Sequence, residues 1–203
     1  HAAYTNEVIF ATAFQPSGMD ASFVALYGHQ AKDPQISASE KLYNRGMFNS
    51  TDERRYLTNI SSANDGDYTY YQIPKFVASS YSIVGSAAGS AATYSNVADK
   101  QYEWIFYRLP DIYLMRAEAL VELAATKSTE DDINSYLNSA IDMVNNTYMR
   151  ANVDLRATDS LSIKEYFSVD LMRELVMDER QREFMFEGKR WFDLVRKALR
   201  ENT

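Results

Sequence analysis

The chain has 203 residues, 46% of them hydrophobic and 24% charged, which is enough for a core of ordinary size. A formal net charge of −7 sets its surface field against phosphate backbones and anionic membranes, so no nucleic-acid partner is expected. With no cysteine and only two histidines, His1 and His29, it has no disulfide, thiolate zinc site or cysteine nucleophile, and neither a metal nor a cofactor is expected.

From Tyr4 to Phe14, Val8, Phe10, Thr12 and Phe14 alternate with Ile9, Ala11 and Ala13, which predicts a strand apolar on both faces and closed by Pro16 and Gly18. Ser37 lies three residues before Glu40, a capping box that predicts a short helix through Lys41 to about Phe48. Ser50 to Arg55 reads as a solvated turn. Tyr56 to Phe76 is rich in tyrosine and β-branched residues, with Asp65 and Gly66 as a turn, and predicts loop and short strands. Ala78 to Lys100 carries little but Ala, Ser, Gly and Thr besides Tyr81 and Tyr94, which predicts a long mobile surface loop of the kind that often holds function.

Helices follow. Leu109, Ile112, Tyr113, Ala117, Leu120, Val121 and Ala124 recur at three and four as an apolar stripe. Ser128 or Thr129 caps the next helix, with Glu130, Asp131 and Asp132 in its first turn and Ile133, Leu137, Ala140, Ile141, Val144 and Tyr148 on its stripe. Two such helices with a short link predict an antiparallel hairpin, and Ile163 to Glu187 with Lys189 to Glu201 predicts a second. Gly188 divides that second pair. Residues 1–104 thus read as a loop-rich part and 105–203 as a helical-repeat part of one domain.

Met177 to Arg200 mixes aromatic and ionic residues. Trp191, Phe192, Leu194 and Val195 are expected in the core, as is Trp104, with the charges at the core edge. Helical spacing pairs Glu179 with Arg182, Glu187 with Arg190 and Asp193 with Arg196 or Lys197. Arg190, three residues from both Glu187 and Asp193, is expected to bridge them. Glu179, Glu183 and Glu187 also stack at four-residue spacing, and paired carboxylates serve glycoside hydrolysis. Three on one helix among arginines read instead as structural ion pairs, and without a nucleophile or a placed histidine no catalysis is expected. The 15 tyrosines are a surplus of rings with a polar handle, suited to stacking on sugar faces, and Tyr68, Tyr70, Tyr71, Tyr81 and Tyr94 are the candidate ligand-facing positions.

Three segments carry a family resemblance. Glu179 to Arg196, ERQREFMFEGKRWFDLVR, resembles the block near the C-terminus of the SusD/RagB family, surface nutrient-binding lipoproteins of Bacteroidetes. Tyr107 to Ala124, YRLPDIYLMRAEALVELA, is similar to the family's upstream helix, and Asn6 to Phe14, NEVIFATAF, to the strand that opens its second half. Asp52 and Arg54 resemble its D-x-R element. The resemblance implies a mainly α fold, an α/α superhelix of tetratricopeptide-like helical hairpins with a loop-rich, short-strand insertion. It implies non-catalytic binding of oligosaccharide or polysaccharide at the outer-membrane surface, for delivery to a TonB-dependent transporter. It also implies that these residues are a C-terminal segment, with any lipid anchor in the half before them. Family ligand contacts lie in variable loops, so no ligand residue transfers by motif. The alternative is a helical-repeat scaffold for a protein partner without glycan binding.

Overall fold

The computed structural model describes residues 7–13, 36, 39, 47–49, 51–54, 62–65, 68–71, 73, 75, 78–84, 91–96, 103–152, 155 and 159–201. The chain forms two compact units, His1–Tyr107 and Arg108–Thr203. The described elements are mainly helical, and among the described residues the long helices lie in the second unit.

Among the described residues the first unit carries short strands, β1 (Val8–Ala13), β2 (Ser62–Asp65), β3 (Tyr68–Tyr71), β4 (Ala78–Val84), β5 (Ala91–Asn96) and β6 (Glu103–Arg108), the last ending one residue into the second unit. They pair as three two-stranded ribbons, β1 with β6, β2 with β3 and β4 with β5. β1 falls where alternation predicts a strand, but Ile9 and Phe10 are exposed and Phe10 stacks on Phe106 with ring centroids 5.3 Å apart. Asp65 sits opposite Tyr68 in an antiparallel register, leaving a two-residue connection as in a tight hairpin.

The expected loop over Ala78–Lys100 is corrected in part, because Ala78–Val84 and Ala91–Asn96 form an antiparallel hairpin with an irregularity between Ala78 and Ser80. Main-chain bonds make a ladder regardless of side-chain size, so the small Ala and Ser residues there hide a strand from a search for apolar alternation. Most of the helix expected from Lys41 to Phe48 lies outside the described residues. The solvated turn expected at Ser50–Arg55 is also corrected: Asp52 and Arg54 are buried and joined side chain to side chain at 2.7 Å.

In the second unit, helix α1 (Leu109–Ala125) leads through a short link to α2 (Glu130–Ala151), followed by α3 (Val169–Glu183) and α4 (Arg190–Glu201). Thr129 caps α2 by accepting the Asp132 N–H at 3.2 Å, and Ser168 caps α3 by accepting that of Leu171 at 3.2 Å. The third helix therefore begins at Val169 rather than Ile163. Asn145 holds the preceding segment, its amide both donating to the Leu161 carbonyl and accepting the Leu161 N–H at 3.0 Å. The core lies among α1, α2 and α3, built from Leu114, Ala117, Val121, Leu137, Val144, Met172 and Val176. Ile112, expected on the buried stripe of α1, is exposed, and Leu114 takes the place.

After Glu183 the chain turns over residues 184–188, with φ of 66° at Phe186 and 75° at Gly188. Gly188 accepts that left-handed backbone without strain, whereas Phe186 is held there. On α4, Trp191, Phe192, Leu194 and Val195 are exposed where burial is expected, and Asp193 is the buried residue. Trp104 is half-buried.

Candidate functional site

The ends of α1, α3 and α4 meet in a buried lattice of charges. One side of α3 presents Glu179, Arg180 and Glu183 to the interior, each less than about a tenth exposed. Charges so placed are stable only when paired and hydrogen-bonded, and each of these is. Glu183 receives Arg108 and Arg150 on one oxygen, and Arg108 also reaches Glu187 at 2.8 Å and the Glu183 main-chain carbonyl at 2.8 Å. Burial works against the Arg108 charge, but Glu183 and Glu187 outweigh it and hold the guanidinium above the ordinary arginine value.

Arg108 precedes α1, and its own N–H donates to Asp111 at 3.0 Å. Asp111 in turn accepts Lys189 on both oxygens, at 2.7 and 2.6 Å, which ties the start of α1 to the start of α4. Phe184 lies at the centre, its ring within 4.9 Å of the Arg108 guanidinium carbon, 5.1 Å of that of Arg180 and 4.3 Å of the Lys189 nitrogen. Three cations around one ring fix the turn that joins α3 to α4.

Of the pairs expected from helical spacing, Glu179 meets Arg182 at 3.0 Å and Asp193 meets Arg196 at 2.9 Å. Arg190 does not bridge Glu187 and Asp193. It donates to the Met177 carbonyl at 3.0 Å, while Glu187 takes Arg108 and Asp193 takes Arg180. The physical reason is the turn: Gly188 and Lys189 precede α4, so Glu187 and Arg190 are not on one helix face. The stacked carboxylates Glu179, Glu183 and Glu187, all on α3 and its following turn, are each engaged with cations, Glu179 with Arg182 of α3, Glu183 with Arg108 and Arg150, and Glu187 with Arg108.

Spacing could not show Arg108, Asp111, Arg150 or Glu118 as partners, because they lie 33 to 82 positions from the oppositely charged side chains they meet. A usable signal did exist. Arg108, Asp111 and Glu118 all stand in the upstream segment YRLPDIYLMRAEAL, so the two long charged and aromatic blocks are the two halves of one ionic contact.

The candidate tyrosines fall on ribbons. Tyr68, Tyr70 and Tyr71 belong to β3, opposite Asp65, Ala63 and Ser62, while Tyr81 of β4 stands directly opposite Tyr94 of β5. The two hairpins are separate sheets. In the second unit, a groove of about 340 Å³ between α3 and α4 is walled by charged residues already matched to one another, Arg173 with Asp170 and Lys197 with Glu174. Among the described residues no group of three or more His, Asp or Glu could hold a metal ion, and no helix is long and apolar enough to cross a membrane.

Antiparallel helices braced by a buried ionic lattice, in a chain that also carries short strand ribbons, define a mainly helical, repeat-like scaffold. The sequence model of the SusD family matches residues 7–203, and the chain belongs to that family. It is similar to SusD-like protein P2 of Formosa agariphila, 30% identical over 105 residues that make up 52% of this chain and 19% of that relative. The match thus spans about a fifth of the relative's length. No solved structure matches.

Proposed function

We propose that this chain is part of a non-catalytic nutrient-binding protein of the outer-membrane surface, which takes up an oligosaccharide or polysaccharide and passes it to a TonB-dependent transporter. Membership of the SusD family over residues 7–203 carries the reading. The ribbon geometry supports it. Tyr81 and Tyr94, adjacent across a ladder, occupy positions from which two rings can offer a platform to the flat C–H face of a sugar, and Tyr68 and Tyr70, two apart on one face of β3, supply a second pair, with Tyr71 on the other face. The carboxylates and guanidinium groups of the helical unit are engaged with each other, which leaves recognition to the ribbons and loops.

Calorimetric titration against starch, xylan, pectin and mucin glycans tests this. At least one glycan is expected to bind without release of reducing ends, and Tyr81→Ala or Tyr94→Ala to weaken it about tenfold, the loss of one stacked ring. Turnover abolished by Glu179→Gln or Glu183→Gln, or binding untouched by alanine at all five tyrosines, would overturn the assignment.

A further inference from the structure

Neither tyrosine ribbon carries a cation. From Tyr56 to Asp99 the sequence holds a single one, Lys75, against Asp65, Asp67 and Asp99, although the chain has 21 Lys and Arg in all. Lys75 stands between β3 and β4, and residues 78–96, which hold β4 and β5, are all uncharged. Arg54, just before this stretch, is spent on Asp52 in a buried pair at 2.7 Å. Register supplies the rest. Asp65 stands opposite Tyr68 and Ala63 opposite Tyr70, so with a period of two these four residues share one face of the β2–β3 hairpin. That face carries a carboxylate beside two rings, with a small residue across from the second. On the β4–β5 hairpin, Tyr81 and Tyr94 share a face with Ile83 and Ala92, and the hydroxyl residues Ser80, Ser82, Thr93 and Ser95 share the other.

We propose that these ribbons take a neutral glycan, and that the face holding Asp65, Tyr68 and Tyr70 selects it against uronic-acid and sulfated polysaccharides; the inference rests on the glycan-binding reading above. A neutral sugar offers a C–H face to a ring and hydroxyl donors to a carboxylate, and this face brings one such acceptor together with two rings. The β4–β5 hairpin adds rings and hydroxyl residues to the same chemistry without adding charge. A uronate or a sulfate asks for the opposite partner. Such groups are held by guanidinium or ammonium donors, and an anion stripped of water without one is strongly disfavoured. Here its neighbour is the carboxylate of Asp65, a like charge, and the net charge of −7 adds a repulsive field at longer range. Specificity of this kind works by repelling the wrong ligand as much as by holding the right one.

Titration calorimetry of the whole chain against matched pairs of polymers tests the selectivity: polygalacturonate with its carboxyl-reduced galactan, carboxymethylcellulose with hydroxyethylcellulose, and dextran sulfate with dextran. Wherever the neutral member binds, the anionic one is expected to bind at least about tenfold more weakly at ~20 mM salt, with the gap narrowing at ~500 mM as the repulsion is screened. Asp65→Asn keeps the size of the side chain and suits a hairpin end; it is expected to narrow the gap by about threefold or more, and Asp65→Lys to close it, with the melting temperature unchanged in both. A pair bound equally, or its anionic member bound more tightly, overturns this inference and leaves the glycan-binding reading standing. So does a gap that neither Asp65→Asn nor salt alters. A chain that binds none of these polymers and none of the glycans titrated above overturns the glycan-binding reading itself, and this inference with it.

Discussion

Arg180 of α3 and Asp193 of α4 face each other at 2.9 Å, with only 5% and 1% of their side chains exposed. The pair joins the last two helices from inside, yet it is not fully satisfied: Arg180 Nε and Nη1 and Asp193 Oδ2 are buried without a hydrogen-bond partner. Removing Asp193 strands the buried Arg180, and removing Arg180 leaves the buried Asp193 to the half-exposed Arg196 alone, 2.9 Å from the same oxygen. Arg180→Ala or Asp193→Ala is therefore expected to destabilise the helical unit by about 3–5 kcal/mol in urea unfolding. The double change Arg180→Met with Asp193→Leu removes both desolvated charges and is expected to fall within about 1 kcal/mol of the parent. A double variant as damaged as either single would show that the pair itself, not the stranded charge, sets the energy.

Arg190 behaves differently. Its guanidinium donates to the Met177 carbonyl at 3.0 Å from a half-buried position, a single bond to a neutral acceptor. Arg190→Ala is expected to cost about 1 kcal/mol, near the mean for one hydrogen bond and well under the cost at Arg180. Parallel melting curves of the two alanine variants decide this, and equal losses would place Arg190 in the buried lattice.

Helix content and the α1–α2 hairpin were legible because stripes of period 3.6 and side-chain caps are local signals, as at Thr129 and Asp132. The lattice was legible only where it is local. Glu179 with Arg182 follows from a spacing of three, whereas Arg108 with Glu183 joins residues 75 apart and depends on how α1 meets α3. Trp191 shows the same limit from the other side: composition demands burial for a tryptophan, but the orientation of α4 is set by the ion pairs of Asp193, Arg196 and Lys197. The β4–β5 hairpin escaped because its residues are small and its bonds are main-chain ones.

Phe186 has φ of 66° inside the turn between α3 and α4, a conformation that costs a residue with a Cβ about 1–2 kcal/mol. Two truncations isolate that cost, because both remove the half-buried ring. Phe186→Gly is expected to be more stable than Phe186→Ala by about 1 kcal/mol, the reverse of the order in a helix interior. Alanine at least as stable as glycine in chemical unfolding would mean the turn relaxes out of the left-handed region once the ring is gone.

Glu122 of α1 and Arg173 of α3 form a two-pronged pair, with Nε to Oε1 at 3.0 Å and Nη2 to Oε2 at 2.7 Å, and Arg200 adds a third contact at 3.0 Å. The bond from Arg173 holds the Glu122 carboxyl below its ordinary value of 4.5, against the smaller opposing effect of burial. In the unfolded chain that carboxyl takes up its proton near the ordinary value, so between the two values the unfolded state binds more protons. The pair's stabilisation is then complete above about 4.5 and is lost as pH falls through the lower, folded value. About a third of each side chain is exposed, so solvent screening keeps the contribution under about 1 kcal/mol. Urea midpoints of the parent and Glu122→Gln, compared from about pH 7 to 3, are expected to differ most at neutral pH and to converge under acid. A gap that stayed constant across that range would assign the loss to packing of the Glu122 stem rather than to its charge.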